Sequence, residues 1–129
     1  MSGTRSAPEK GGRAEGTWGE ALAADYLRQR GYRLAAHSYQ CRFGELDLIA
    51  RDGDCLVFCE VKTRSPDPLA APAAAVTPAK QRRLIRTAEY YLQHTGQSDE
   101  PVRFDVAEVT PLDSGRWMVH IIKGAFCAK

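Results

Sequence analysis

The sequence predicts a single α/β domain with the element order α-β-β-β-α-β-β. Two segments show the 3.6-residue apolar period of amphipathic helices, and five runs read as strands that are bounded by turn-forming residues. A length of 129 residues supports one such domain, because two domains would leave neither with enough core. The hydrophobic fraction of 43% and the charged fraction of 26% are typical of a soluble globular chain.

The N-terminal segment differs in composition from the rest of the chain. It is rich in glycine, serine and charge and has no apolar period, which predicts a disordered tail over residues 1–15 and a folded domain over residues 16–129. It lacks the apolar segment of a secretory signal, and no apolar run reaches the roughly 18 residues of a membrane span. We therefore expect a cytoplasmic protein without membrane contact.

The first helix is predicted to begin at Thr17 and to end at Gly31. Thr17 and Glu20 form an S/T-x-x-E capping box, and glycine is typical of the position after a helix. With about 100° between successive residues, Glu20 lies about 20° from Leu27, at the edge of the apolar stripe. Glu20 can therefore face the body of the protein, although its capping role alone would explain it.

Three strands are predicted next, over residues 32–39, 43–51 and 55–63. The turn signal Asp52-Gly53 joins the last two as a hairpin. The third strand contains LVFCEV, which is apolar on both faces except for its glutamate, as expected of a covered central strand. The four cysteines form no C-x-x-C pair, so they predict no zinc site.

The second helix is predicted from Thr77 to Gly96, with Pro78 in the favoured first position. Basic residues crowd its first two turns: Lys80, Arg82, Arg83 and Arg86. The last two strands are predicted over residues 102–109 and 117–122, joined by the turn-forming sequence LDSG.

The most informative feature is a pair of charges inside an apolar strand. Alternation along the third strand places Phe58, Glu60 and Lys62 on one face. Burying a carboxylate and an ammonium would cost several kcal/mol unless they are paired or bind a metal. Such a cost indicates a functional role for Glu60 and Lys62.

The hairpin turn adds a third candidate. A turn of two or four residues at Asp52-Gly53 predicts that Glu45 faces Glu60 and that Asp47 faces Phe58. Asp47 and Glu60 would then be diagonal neighbours on one face of the sheet, within reach of a shared ion. A three-residue turn with a bulge would break this parity.

Such a cluster has the chemistry that phosphodiester cleavage needs. Hard carboxylate oxygens hold Mg²⁺ while it keeps several waters, and the ion neutralises charge on the phosphate. A lysine beside the metal can orient or deprotonate the attacking water and stabilise the phosphate.

The motif D-x(12)-E-x-K with an upstream helical glutamate resembles the PD-(D/E)xK nuclease superfamily, which includes restriction endonucleases and archaeal Holliday-junction resolvases. Three segments resemble the bacterial YraN-type family of small nuclease-like proteins more closely: G-x-x-G-E-x-x-A at 16–23, GELDLIA at 44–50 and FCEVKTR at 58–64. RFDV at 103–106 also fits, and the resemblance covers roughly residues 15 to 127. Leu46 stands where the superfamily has proline, Ser38 where we would expect asparagine, and Cys59 where valine is more usual.

The resemblance implies a restriction-endonuclease-like fold, in which helices flank a mixed sheet and the site lies at one end of the central hairpin. It carries over Asp47, Glu60 and Lys62 as the signature triad and Glu20 as the helical acid. Asp47, Glu60 and Glu20 would hold Mg²⁺, with Mn²⁺ as a substitute. Nucleases of this superfamily often dimerise to cut both strands, so a homodimer is one implied arrangement.

Several basic and polar residues are candidate phosphate contacts: Arg42, Arg64, Lys80, Gln81, Arg82, Arg83 and Arg86. A charge run on a helix is also consistent with a solvated face. Asp47, Glu60 and Lys62 could likewise form a structural ion-pair network, and Glu45 fits a supporting role better than that of a ligand.

Two functions follow as hypotheses. The first is a Mg²⁺-dependent nuclease acting on nucleic acid, with DNA favoured and branched or single-stranded forms as candidate substrates. The second is a non-catalytic binding or adaptor module that keeps the nuclease fold. The low net charge of +2 favours the second, and the intact set of acids favours the first.

Overall fold

The computed structural model describes residues 4–6, 12–64, 76–112 and 114–127, with only the backbone course described for 4–6 and 12–17. Its elements in chain order are β1 Thr4–Ser6, α1 Gly12–Gln29, β2 Arg33–Cys41, β3 Gly44–Asp52, β4 Cys55–Thr63, α2 Pro78–His94, β5 Val102–Pro111 and β6 Arg116–Phe126. The predicted order α-β-β-β-α-β-β is therefore confirmed, with β1 as an additional short strand.

The strands form one mixed sheet in the spatial order β1-β6-β5-β4-β3-β2. β4 and β5 are parallel, and the other neighbours are antiparallel. α2 connects the parallel pair as the crossover helix that such strands require. The predicted mixed sheet flanked by helices is thus the observed architecture.

Two hydrophobic cores lie on opposite faces of this sheet. The core under α1 includes Leu27, Val57, Cys59 and Trp117. The core under α2 is centred on Phe58, which stacks on Phe104 with ring centroids 5.5 Å apart. β4 contributes to both cores, which explains why its sequence is apolar on both faces. Cys59 is 2% exposed and acts as a small apolar core residue.

The N-terminal boundary differs from the prediction. α1 begins at Gly12, so Thr17 lies inside the helix and does not cap it. Arg13, Ala14 and Glu15 are good helix formers, which explains why the helix continues upstream of the capping pattern. β1 and the first turn of α1 both fall within the predicted tail of residues 1–15, and the rest of that tail prediction lies outside the described residues.

The central hairpin turns one residue later than predicted. Asp52 pairs with Cys55, so the turn residues are Gly53 and Asp54. Gly53 has φ 63°, a conformation that two-residue hairpin turns favour and that glycine adopts without strain. The predicted facing pairs are therefore wrong by two residues on the partner strand, because the turn is one residue later. A shift of two residues keeps the predicted parity of faces.

α2 packs closely against the beginning of β3 at Gly44. A Cβ atom at Gly44 would lie 3.1 Å from Oγ1 of Thr87, a fully buried residue of α2. The φ of Gly44 is 151°, which also disfavours a side chain there. This contact holds the middle of α2 next to the start of β3. Among the described residues, neither helix has the length and apolar character needed to cross a membrane.

Candidate active site

Asp47 and Glu60 meet where β3 begins and β4 nears its end. The regular pairing of the two strands stops at Leu48 and Cys59, and these two acids are the next residue on each strand. Their side chains hydrogen-bond to each other, and Oδ2 of Asp47 accepts the backbone N–H of Val61 at 2.8 Å. Glu60 is 6% exposed. The predicted proximity of these two carboxyl groups is therefore present in the structure, in closer contact than a diagonal arrangement requires.

This proximity makes ionisation of Asp47 unfavourable. Burial raises its pKa first, the charge of Glu60 raises it further, and the Val61 N–H partly counteracts both. The result is a pKa of about 7, against an ordinary value of 3.8. Two carboxyl groups in contact share a proton or need a cation, because both cannot ionise at low cost.

Lys80 supplies one positive charge to this pair. It lies in the first turn of α2, where its backbone N–H donates to Oγ1 of the N-cap Thr77 at 3.2 Å. Its ammonium forms an ion pair with Oε2 of Glu60. Burial lowers the pKa of Lys80, but the hydrogen bond to Glu60 and the charge of Asp47 outweigh it, so that the pKa lies above its ordinary value.

A pocket of about 190 Å³ opens over these groups. We call it the acidic pocket; its lining is Gly44, Glu45, Asp47, Glu60, Lys80, Arg83, Leu84 and Thr87. Glu45 pairs with Gln40 on β2 rather than with Glu60, and its carboxylate accepts a hydrogen bond from the Gln40 amide at 2.9 Å. Glu45 therefore lies at the rim of the pocket as a supporting acid.

Lys62 lies two residues beyond Glu60 on the same strand and is half-buried. It pairs in register with Glu108 of β5 and interacts with the side chain of Lys80. It does not line the acidic pocket itself. Two lysines from different elements thus flank the carboxyl pair, one in contact with Glu60 and one beyond it along β4.

Glu20 lies on the α1 side of the sheet, in a neighbouring pocket of about 320 Å³ that also includes His37 and Ser38. Its Oε1 accepts the Ser38 hydroxyl at 3.1 Å. Burial raises the pKa of Glu20, the Ser38 hydrogen bond opposes this, and the charges of Glu45 and Glu60 add to the rise. The charges of Glu45 and Glu60 therefore act on Glu20 without direct contact. Because α1 begins at Gly12, Glu20 does not serve to cap the helix.

The sheet is irregular where Glu20, Ser38 and Asp47 approach one another. Leu46 and Leu48 lie two residues apart, yet Leu46 packs under α2 and Leu48 packs under α1. A regular strand would place both on one face. Ser38 of the adjacent strand has φ 50°, which is uncommon for a residue other than glycine. The change of face at this point leaves Asp47 available to the acidic pocket, and Ser38 is a site residue that strand periodicity did not reveal.

The predicted phosphate contacts differ in their environments. Arg64 forms an ion pair with Glu108, and the Gln81 amide donates to the Val76 carbonyl at 2.9 Å, so both are engaged locally. Arg83 lines the acidic pocket. The other exposed arginines of the predicted set are Arg42, Arg82 and Arg86.

A second buried charge network lies towards the opposite end of the sheet. Asp105 is 1% exposed and binds Arg103 through two hydrogen bonds of 2.9 and 3.0 Å. Arg103 also donates to Asp52 at 3.0 Å and to the Tyr32 hydroxyl at 2.9 Å. Arg103 and Asp105 belong to the RFDV segment, but no contact of either residue was predicted from the sequence. This network joins β3, β5 and the segment between α1 and β2, and it stabilises the fold away from the acidic pocket.

The donor set limits what metal could bind. Among the described residues, no three His, Cys, Asp or Glu side chains are grouped to hold a metal ion. Mg²⁺ is nevertheless commonly bound by one or two carboxylates, with waters and substrate phosphates as its other ligands. Asp47 and Glu60 fit that pattern, whereas Glu20 stands apart from it.

The Asp47 pKa predicts a stability effect in metal-free protein. Because its folded-state pKa is raised from 3.8 to about 7, protonated Asp47 favours the folded state. This contribution is complete below about pH 4 and is lost as the pH rises towards 7, by about 4 kcal/mol at most. Asp47→Asn removes the ionisation but keeps an oxygen for the Val61 N–H. The variant is therefore expected to lose less stability over this pH range in urea unfolding with EDTA.

Asp54→Asn is a matched control for this prediction, since Asp54 is an exposed residue of the hairpin turn. Its stability should follow the wild-type pH dependence. Parallel pH profiles for Asp47→Asn and the wild type would show that Asp47 ionises normally.

The fold and the site together define a small α/β protein with two acids in contact, one buried and one half-buried, at one end of a mixed sheet. The chain belongs to the uncharacterised protein family UPF0102, whose model matches residues 19–109. The resemblance to the YraN-type family is thereby confirmed at the level of the family.

Several bacterial relatives are similar over most of their length. A UPF0102 protein of Symbiobacterium thermophilum is 49% identical over 116 residues, which cover 90% of this chain and 98% of that protein. One from Mycolicibacterium vanbaalenii is 48% identical over 84% of this chain and 86% of its own. One from Syntrophus aciditrophicus is 45% identical over 86% of this chain and 87% of its own.

Proposed function

We propose that this protein is a Mg²⁺-dependent nuclease that hydrolyses phosphodiester bonds of nucleic acid, with DNA as the favoured substrate. The observation that carries the proposal is the contact between the buried carboxyl group of Glu60 and the half-buried one of Asp47, flanked by Lys62 and Lys80. Two carboxyl groups in contact repel each other when both are ionised. Without a metal the pair avoids this repulsion by keeping a proton, and a bound divalent cation would remove it instead.

The roles of the residues follow from their positions. Asp47 and Glu60 would hold the metal, and Mg²⁺ bound there would supply positive charge against the charge that develops on the phosphate. Lys62 orients the attacking water and donates to the phosphate oxygens. Water adds to phosphorus and releases one proton to the solvent, the ester P–O bond breaks, and the leaving oxygen takes up one proton from the solvent. Glu20 acts from the α1 side through its charge or through a water molecule.

Lys80 has a separate part in this proposal. In the absence of metal its ammonium compensates Glu60, and metal binding requires that this ion pair weakens. Lys80 then becomes available to a substrate phosphate next to Arg83, which lines the same pocket. The Lys80 ammonium thus pairs with Glu60 in the metal-free protein and with a substrate phosphate in the metal-bound protein.

The Lys80–Glu60 ion pair also favours the second candidate, a non-catalytic adaptor, because it can satisfy Glu60 without any metal. Calorimetric titration with Mg²⁺ separates the two functions. The nuclease requires binding that is lost in Glu60→Gln and retained in Glu100→Gln, a control on the half-exposed Arg51–Glu100 pair. Absence of Mg²⁺ binding to the wild type would favour the adaptor.

A cleavage panel tests the activity itself. Purified protein with Mg²⁺ or Mn²⁺ is expected to cut at least one of duplex DNA, a four-way junction, a flap, single-stranded DNA or RNA. Glu60→Gln should cut none of them, since it removes a metal ligand, while Glu100→Gln should retain activity. If the wild type leaves every form intact, the nuclease proposal fails.

A further inference from the structure

A strip of basic and aromatic side chains runs along the outer face of α2 and onto the turn between β2 and β3. We call it the α2 strip; its residues are Arg42, Phe43, Arg83, Arg86, Tyr90 and His94. The four members on α2 follow one another at intervals of three or four residues, which places them on one side of the helix. None of the six belongs to either hydrophobic core.

Five of the six side chains of the α2 strip, all except Arg83, are joined by contacts with aromatic rings. The guanidinium carbons of Arg42 and Arg86 lie 4.9 and 5.0 Å from the centre of the Phe43 ring. Phe43 meets Tyr90 edge-on with ring centroids 5.8 Å apart. Tyr90 in turn stacks on His94 at 3.9 Å. Two guanidinium groups and three rings therefore adjoin one another along the strip.

The α2 strip ends at the acidic pocket. Arg83 is a member of the strip and also lines the pocket beside Asp47 and Glu60. Gly44, the residue after Phe43, lines the same pocket. A chain bound along the strip would thus lead directly to the carboxyl pair.

Charge favours a polyanion as the occupant. α2 contains four Lys or Arg residues, at 80, 82, 83 and 86, against a single acidic residue, Glu89. The ion pairs of the described residues leave Arg42, Arg83 and Arg86 without a carboxylate partner, and all three are exposed. These guanidinium groups are available to phosphates.

The aromatic members distinguish between kinds of nucleic acid. In a duplex the faces of the bases are stacked on their neighbours, so rings on a protein surface gain nothing from them. Unpaired bases stack on aromatic rings and on arginine planes in proteins that bind single strands. We propose that the α2 strip binds single-stranded nucleic acid, with bases on the ring and guanidinium surfaces, and guides the strand into the acidic pocket. The proposal assigns single-stranded nucleic acid as the substrate class of the proposed nuclease. Only the cleavage of the strand in the acidic pocket rests on the proposed function.

Binding is measured separately from cleavage. Fluorescence anisotropy in EDTA, with labelled oligothymidylate and a duplex of equal length, is expected to show tighter binding of the single strand. Phe43→Leu combined with Tyr90→Leu should weaken single-strand binding roughly fivefold to a hundredfold. Arg86→Gln should weaken it and reduce the slope of log affinity against log salt by about one phosphate contact.

The chain offers a matched control on its other helix. Arg30 lies over the Tyr26 ring at 4.9 Å, an arginine–aromatic pair on α1 outside the α2 strip. Tyr26→Leu and Arg30→Gln should leave single-strand affinity unchanged, and circular dichroism verifies the fold of each variant. Equal affinity for the two nucleic acids, or no effect of the double ring variant, would overturn the proposal. Because EDTA prevents cleavage, tight single-strand binding by a protein that cuts nothing would count against the nuclease and in favour of the strip.

Discussion

Replacing Lys62 with alanine is expected to reduce Mg²⁺-dependent cleavage of nucleic acid at least a hundredfold while leaving the fold intact. Lys62 is half-buried near the carboxyl pair and supplies the charge proposed to orient water and stabilise the phosphate. Removing one well-placed electrostatic or acid–base group commonly costs about 10² to 10⁴ in rate. Its loss also removes a positive charge near the metal site, so Mg²⁺ affinity should stay constant or rise.

This combination separates a role in the reaction from a structural one. Cleavage rates and Mg²⁺ titrations are measured on the same preparation, together with thermal unfolding. Lys123→Ala is the charge-matched control, because Lys123 is exposed and lies near Asp52, away from the acidic pocket. If Lys62→Ala cuts as fast as Lys123→Ala, Lys62 has no part in the reaction.

The second large effect concerns stability. Arg103→Ala is expected to destabilise the protein by about 3–5 kcal/mol, because it leaves the Asp105 carboxylate buried without its charged partner. Among the residues that the structure describes, the remaining hydrogen-bond donor to the Asp105 side chain is the Gly124 N–H, at 2.9 Å. For a domain of this size the melting temperature should fall on the order of 10–20 °C. Urea unfolding and calorimetry measure both quantities.

A double-mutant cycle checks that the ion pair is the cause. Adding Asp105→Asn to Arg103→Ala removes the unpaired charge and should recover part of the lost stability. Arg51→Ala is the control, since Arg51 pairs with the half-exposed Glu100 and such pairs contribute about 1 kcal/mol or less. Equal losses for Arg103→Ala and Arg51→Ala would show that burial of Asp105 is not costly.

The elements of this fold could be predicted because their signals are local. Thr77 and Pro78 defined the start of α2, and β4 matched its prediction from Cys55 to Thr63. The start of α1 could not be predicted from the capping pattern at Thr17, since the residues before it also favour helix. β1 was missed because three residues carry no periodic signal, and its pairing depends on β6.

The strand residues of the charged site could also be predicted from local patterns, whereas the contacts of its helix residues could not. Alternation along β4 placed Glu60 and Lys62 on one face, and any turn with an even number of residues brought Asp47 to that face. The choice between Glu45 and Asp47 as the neighbour of Glu60 depended on one turn position, which Gly53 determines through its positive φ. Lys80 and Glu20 come from helices, and the sequence carried no measure of their distance from the strands.

Local chemistry therefore accounts for the element order, the two-sided apolar character of β4 and the presence of charges that need a partner. Those properties depend on neighbours within a few residues, so a linear pattern contains them. The partners themselves are a matter of three-dimensional packing: Lys80 reaches Glu60 because α2 packs closely on Gly44, and Glu20 contacts Ser38 because the sheet is irregular there. Contacts between distant segments depend on how helices and strands are arranged in space, which no local pattern specifies.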